Sequence, residues 1–237
     1  MTEVDRSAPG GVRLARAQGA PTAVERVVAA IRDGVRDGRF VPGQRLVEAD
    51  LIRDLGVGRN SLREALSRLS SDGLIVVEPH RGASIRRLGR RDVAEFYELR
   101  EVLEGLGARL AAENIDLPGN RERFIGALEA VRRAAGAVQM ADYIDENTRF
   151  HRAVVELAGR ARLLELVDQL QIQTFRVQFR NALARDRTGM REYSSAEHEE
   201  LAEAILAGDA EHAEQTMREH LRHTGSGVMQ LPDTDFA

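Results

Sequence analysis

The chain has 237 residues, 43% of them hydrophobic and 30% charged, enough for about two domains with a real core. It has no cysteine, which excludes disulfides and thiolate metal ligands, and no apolar run of about 18 residues, which excludes a membrane-spanning helix. The net charge of −4 hides a split: residues 1–91 carry 17 Arg against 11 acidic residues, residues 92–237 carry 17 against 27, and a basic front before an acidic back suits a DNA-binding domain joined to one that stays off DNA.

Residues 1–20 are charged and rich in Gly and Ala and lack an apolar core, so they read as a flexible arm and not as a secretory signal; the default location is the cytoplasm. From Thr22 a helix is predicted, with Val24, Val27, Val28, Ile31 and Val35 on one face and Thr22 with Glu25 as a capping box. Gly38 and the VPG at 41–43 end it. A second helix starts near Val47 or Glu48 and buries Leu51, Ile52 and Leu55, with Gly56 as the turn. A third runs from about Asn60 to Ser71 with Leu62, Ala65, Leu66 and Leu69 inward. Two β-rich runs, IVV and ASI, follow and are joined by PHRG, which predicts a hairpin.

Helix, turn, helix and hairpin is the layout of a winged helix-turn-helix, which places a helix in a DNA major groove. The N-terminal end of the third helix carries Arg59, Asn60, Ser61 and Arg63, types that read base edges or hold phosphates. At the hairpin tip stand His80, Arg81 and Gly82, where a Gly lets backbone approach sugar-phosphate and Arg81 can probe a minor groove. The arginines of the connecting RRLGRR (86–91) are further candidates for phosphate contact.

Beyond Arg91 strand signals almost vanish. Asp92 caps a predicted helix through about Glu113, with Val93, Phe96, Tyr97, Leu99, Val102, Leu103, Leu106 and Leu110 as its apolar positions. Further helices are predicted near 121–139, 140–158, 161–185, 190–207 and 209–226, joined by short loops, so the second domain is an all-α antiparallel bundle. The predicted division is an arm at 1–20, a DNA-binding domain at 21–88, a helical domain at 89–230 and a tail at 231–237.

Six histidines are present. Asn147 and His151 lie four residues apart and share a helix face, while His198 and His220 sit on the last two helices. If the bundle brings them together, three imidazoles and a side-chain oxygen suit Zn²⁺ or Ni²⁺. Spacing alone is a weak signal, and His80, His212 and His223 read as surface or core residues, apart from a wing contact by His80.

The stretch LVEADLIRDLGVGRNSLREALSRLSSDGLIVVEPHRGASI resembles the DNA-binding domain of GntR-family bacterial regulators. It departs from their usual pattern at Gly58, where Ser is commonest, and at Asn60–Ser61, where Thr-Pro is common. Residues of about 92–225 resemble the FCD ligand-binding domain of the FadR-type branch, through Arg100 to Glu104, Phe150–His151, Glu197–His198 and His220–Leu221. The resemblance implies a metal held by residues 147, 151, 198 and 220, with Asn147 where Asp is usual. It also implies a small organic or sugar acid bound at an open metal position, with Arg100, Arg149 and Arg176 as candidate partners of its carboxylate. The implied function is a homodimeric regulator, a repressor in the leading reading, of a palindromic double-stranded operator. A metal-dependent enzyme fused to a DNA tether, and an architectural dimer with no effector, are the alternatives. No general base or nucleophile motif accompanies the histidines, which argues against the enzyme.

Overall fold

A computed structural model describes residues 21–136, 140–170, 178–179 and 190–237. The front part is α1 (Ala23–Arg36), β1 (Arg45–Leu46), α2 (Glu48–Leu55), α3 (Arg59–Ser71), β2 (Ile75–Glu78) and β3 (Gly82–Ile85). Thr22 caps α1 as expected: its hydroxyl accepts from the Glu25 N–H, and the Glu25 carboxylate accepts from the Thr22 N–H at 2.8 Å. Gly56 ends α2 with φ +59°, the left-handed backbone that the tight turn into α3 needs. Leu62, Ala65, Leu66 and Leu69 face inward from α3 onto Val27, Ile31 and Val35 of α1, in a core closed by Ile75, Ala83 and Ile85 of the wing.

The sheet has a third strand that the sequence did not announce. Two residues, Arg45 and Leu46, pair antiparallel with Ser84 and Ala83, giving the order β1-β3-β2. A two-residue strand has no alternation to detect; Leu46 is buried because β3 lies beside it.

The second part is helical among the described residues: α4 (Arg90–Glu113), α5 (Asn120–Ala135), α6 (Met140–Leu157), α7 (Ala161–Leu170), α8 (Met190–Ala207) and α9 (Ala210–Met229), then a 3₁₀ turn at Asp233–Asp235. α4 begins two residues before the expected cap. Asp92 is inside its first turn, where it accepts from the Gly89 N–H at 2.9 Å and does the capping from there. Leu99, Val102 and Leu106 do not join the α4 core: they form an apolar stripe open to solvent. α5 ends at Ala135, and α9 runs to Met229, three residues past its expected end. Of the helix expected at 161–185, residues 171–177 and 180–185 lie outside the described residues, as do 137–139 and the arm at 1–20.

The long α4 is packed along α9. One close approach is at Gly225, where a Cβ would lie 2.9 Å from Cγ of the Tyr97 ring. Gly225 is thus a requirement of helix spacing, since any side chain must push α9 off α4. Gly225→Val should lower stability by about 1–3 kcal/mol in urea unfolding monitored by circular dichroism.

Candidate functional site

Two sites emerge. The first is the outer face of the winged domain. Arg59, Asn60 and Arg63 are exposed, and Ser61 is half-buried, at the N-terminal end of α3. No acidic residue stands in the first turn, so the positive end of the helix dipole is not offset. Some other arginines of this domain are engaged: Arg32 with Asp72 at 2.7 Å, Arg53 with Asp50 at 2.9 Å. Arg59 and Arg63 make no ion pair or hydrogen bond among the described residues. At the wing tip His80 holds φ +65°, uncommon for a side-chain-bearing residue, and is followed by Arg81, whose side chain is 82% exposed with Glu78 at 3.4 Å. Gly82 follows with φ +82°. Arg45, on the unforeseen β1, brings its guanidinium alongside the same wing, 3.8 Å from where a Gly82 Cβ would stand.

Each connecting arginine has a partner within the protein. Arg86 pairs with Asp92, Arg90 with Asp233 and Arg91 with Glu95, while Arg87 donates to the Thr234 carbonyl. These pairs lie at the surface, and the Arg91 side chain is 93% exposed.

The second site lies inside the helical domain. α6, α8 and α9 bring His151, His198 and His220 together, all buried, with one ring nitrogen from each within 4.8 Å of the others. Nε2 of His151 and Nε2 of His220 are 3.2 Å apart. At Zn–N distances of ~2.0–2.1 Å, two tetrahedral ligands stand ~3.3 Å from each other.

Hydrogen bonds on the far side of each ring give this contact its meaning. His151 Nδ1 lies 2.7 Å from Glu104 Oε2, and His220 Nδ1 lies 2.8 Å from Glu197 Oε2. Burial would raise the Glu104 pKa, but the Arg100 guanidinium, 2.6 Å away, overrides it and holds the carboxylate ionised. Burial also acts against Glu197, and hydrogen bonds from His220 and His223 outweigh it. An ionised carboxylate can only accept, so each ring carries its proton on Nδ1. In the neutral rings both Nε2 atoms are then bare lone pairs pointing at each other. A proton or a cation between them relieves that contact. His198 favours the cation: it is 2% exposed, and neither of its nitrogens has a hydrogen-bond partner among the described residues. Oδ1 of Asn147, one turn before His151, is also buried and has no partner among the described residues. Orphaned buried acceptors are rare in native proteins, and three buried imidazoles converging on one point fit a divalent ion.

The arginines expected near an effector divide. Arg100 is buried but forms a two-pronged pair with Glu104, placing it behind His151. Arg149 is 69% exposed and pairs with Glu146. It is two residues from His151, about 200° around the helix, and so faces away from the triad. Arg176 lies outside the described residues. Sequence reasoning missed the role of Glu104 and Glu197 as the carboxylates that orient the rings, and it read His223 as ordinary. His223 shares Glu197 with His220, at 2.5 Å.

Comparison with known proteins agrees with this two-part arrangement. Residues 23–85 match the gntR family of bacterial regulatory proteins, and residues 95–223 match the FCD domain. A Paenarthrobacter nicotinovorans protein named as a transcriptional repressor of a D-xylose utilization operon is 30% identical over 202 residues, 82% of this chain and 86% of the relative. A GntR transcriptional regulator from Rhodococcus sp. RHA1 has a similar structure, with a TM-score of 0.70 at 27% identity over 86% of this chain and 96% of that one. E. coli McbR/YncC shares the fold, with a TM-score of 0.71 at 24% identity over 89% and 98% of the two chains.

The buried imidazoles also set a pH dependence. Burial pushes His151 from its ordinary 6.5 down to about 4, against the pull of Glu104, and pushes His198 well below its ordinary value. Both take up protons on unfolding, so the unfolded state binds more protons between the two values and metal-free stability is lost as pH falls from about 6.5 toward about 4. Urea midpoints across that window should fall with acidification, and His198→Asn should flatten the slope.

Proposed function

Since the chain belongs to the GntR family of bacterial regulatory proteins and carries an FCD domain, we propose that it is a repressor that binds a palindromic operator as a homodimer and responds to a small carboxylate bound at a metal inside the helical domain. The family consists of transcriptional regulators and not enzymes, and the chain is one of them.

On the DNA side, α3 enters the major groove by its N-terminal end. Arg59 and Arg63 contact guanine edges or phosphates, Asn60 suits adenine, and Ser61 suits either. His80, Arg81 and Gly82 meet the backbone or minor groove at the wing, with Arg45 beside them. The unpaired arginines of α3 support this half of the reading. One recognition helix reads only a short half-site, so a symmetric dimer is implied. The open stripe of Leu99, Val102 and Leu106 on α4 is an apolar face of the kind a second copy covers. Among the described residues no helix is long and apolar enough to cross a membrane, in keeping with action in the cytoplasm.

On the sensing side, His151, His198 and His220 with Asn147 would hold Zn²⁺ or Ni²⁺, and the ion would supply an electrophilic anchor for a carboxylate oxygen. Arg100 keeps Glu104 charged, Glu104 fixes the His151 ring, and Glu197 fixes that of His220; such outer carboxylates tune metal ligands. The observation that carries this half is His198, buried with both nitrogens unpartnered beside two rings that meet nitrogen to nitrogen. An architectural dimer with scattered histidines is disfavoured by the same convergence. A sugar acid is a natural candidate effector, since one relative is named for a sugar utilization operon.

Two experiments test the proposal. Duplexes selected from a random pool by the parent protein should lose about tenfold or more in affinity when Arg59 or Arg63 becomes Ala, a loss of ~1–3 kcal/mol per base contact; unchanged affinity overturns the reading of α3. After chelator treatment and reloading, elemental analysis should find about one Zn²⁺ or Ni²⁺ per chain. His198→Ala should abolish both this and the rise in Tm that the metal produces, because a ligand of the folded state stabilises it. Full metal occupancy in His198→Ala rules out the triad as the site.

A further inference from the structure

The residues after α9, expected to be a tail at 231–237, fold back across the connection between the two domains. Phe236 is 4% exposed and packs against the ring of Phe179 at 5.3 Å. The Ala237 N–H donates to the Leu88 carbonyl at 3.0 Å, and Arg87 reaches the Thr234 carbonyl at 2.5 Å. Gln178 completes the seam. Its side-chain oxygen accepts from the Leu88 N–H at 2.8 Å, and its amide nitrogen donates to the carbonyls of Leu88 and Asp235. A single side chain thus stands in for a strand partner between the connection and the returning segment.

Arg90 ties this seam to the sensing helices. It is the first residue of α4, and it donates to the carbonyls of Met229 and Leu231 at 2.6 and 2.8 Å. The Met229 carbonyl ends α9, where a helix leaves acceptors unsatisfied and its dipole favours a cation, and the Leu231 carbonyl lies just past it. The same guanidinium pairs with Asp233 at 2.7 Å and lies 4.2 Å over the centroid of the Phe236 ring. α4 carries Glu104 some 14 residues further on, about 21 Å along the helix, and α9 carries His220 about 14 Å back from Met229. One side chain therefore joins the ends of both helices that reach the histidine cluster to the segment lying on the connection.

We propose that residues 233–237 are a strap, locked by Phe236 and Arg90, that holds the DNA-binding domain at a fixed position on the helical domain, and that its seat is where a rearrangement of α4 or α9 reaches the reader. The fastening is independent of the functional reading above; its meaning for regulation rests on that reading. Without the strap, the connection retains Asp92, which holds Arg86 at 2.7 Å and the Gly89 N–H, and the Gln178 contacts with Leu88. The domains would stay attached but no longer fixed.

The absence of native cysteine allows a clean test. Cysteines placed at Val77 on β2 and Arg162 on α7, both exposed, would carry a fluorophore pair in the full chain, read as a single-molecule distance distribution without metal or DNA. The parent should give one narrow distribution. Phe236→Ala should broaden it at least twofold, and Arg87→Gln, an exposed change that cannot disturb the core, should broaden it less in the same direction. Far-ultraviolet circular dichroism and Zn²⁺ binding by calorimetry should match the parent in both variants, which separates loss of the strap from unfolding of the bundle. A distribution of parental width in folded Phe236→Ala overturns the proposal. Failure of all variants and the parent alike to take up Zn²⁺ would count against the sensing site and leave the distance result standing.

Discussion

The sensing half depends on one electrostatic arrangement: two imidazoles whose protons are drawn to their outer nitrogens by carboxylates, so that their inner nitrogens face each other. Neither ring can resolve the contact by changing tautomer. Glu104 is held ionised by Arg100, and Glu197 is shared between His220 and His223. The pairs reach across α4 to α6 and α8 to α9, so the polar cluster also fixes how four helices are set against one another. A buried network of this kind is stable only when every member is satisfied. His198 and the Asn147 oxygen are the members left over.

Around this cluster the packing leaves little slack. Gly225 lets α9 lie against Tyr97, and at Gly107 a Cβ would meet the Val155 side chain at 2.9 Å, so α4 is closely fitted to both α9 and α6. Helices with this little clearance transmit displacement instead of absorbing it. The histidines are thus built into a frame whose long members, α4 and α9, both run to the domain connection.

Local features were the legible ones. Thr22 with Glu25, Gly56, and the inward run from Leu62 to Leu69 each act over three to seven residues, and the winged domain follows from them. β1 escaped because a pair of residues carries no period and owes its strand conformation to β3. The convergence of His151, His198 and His220 came only through resemblance, since nothing in their spacing says that α6, α8 and α9 meet. Arg149 could have been excluded from sequence: a residue two positions from His151 in a helix lies on its far side. Glu104, Glu197 and Phe236 could not have been assigned, because their roles exist only through partners on distant elements. The exposed stripe on α4 read as core for the same reason, since a period reports an apolar face and not what covers it.

The ligand set has a consequence of charge balance. Three neutral imidazoles and an amide contribute no negative charge, so a divalent ion there would keep its full +2 among its direct partners. Of the two carboxylates behind the rings, Glu104 is matched by Arg100, leaving Glu197 as the nearer counterweight. The interior would remain about one unit positive in a medium that screens poorly. A bound monoanion would bring such a site to neutrality, so occupancy would be governed first by a ligand's valence and only then by its shape. A site of that kind sorts metabolites as an ion exchanger does before it recognises any of them.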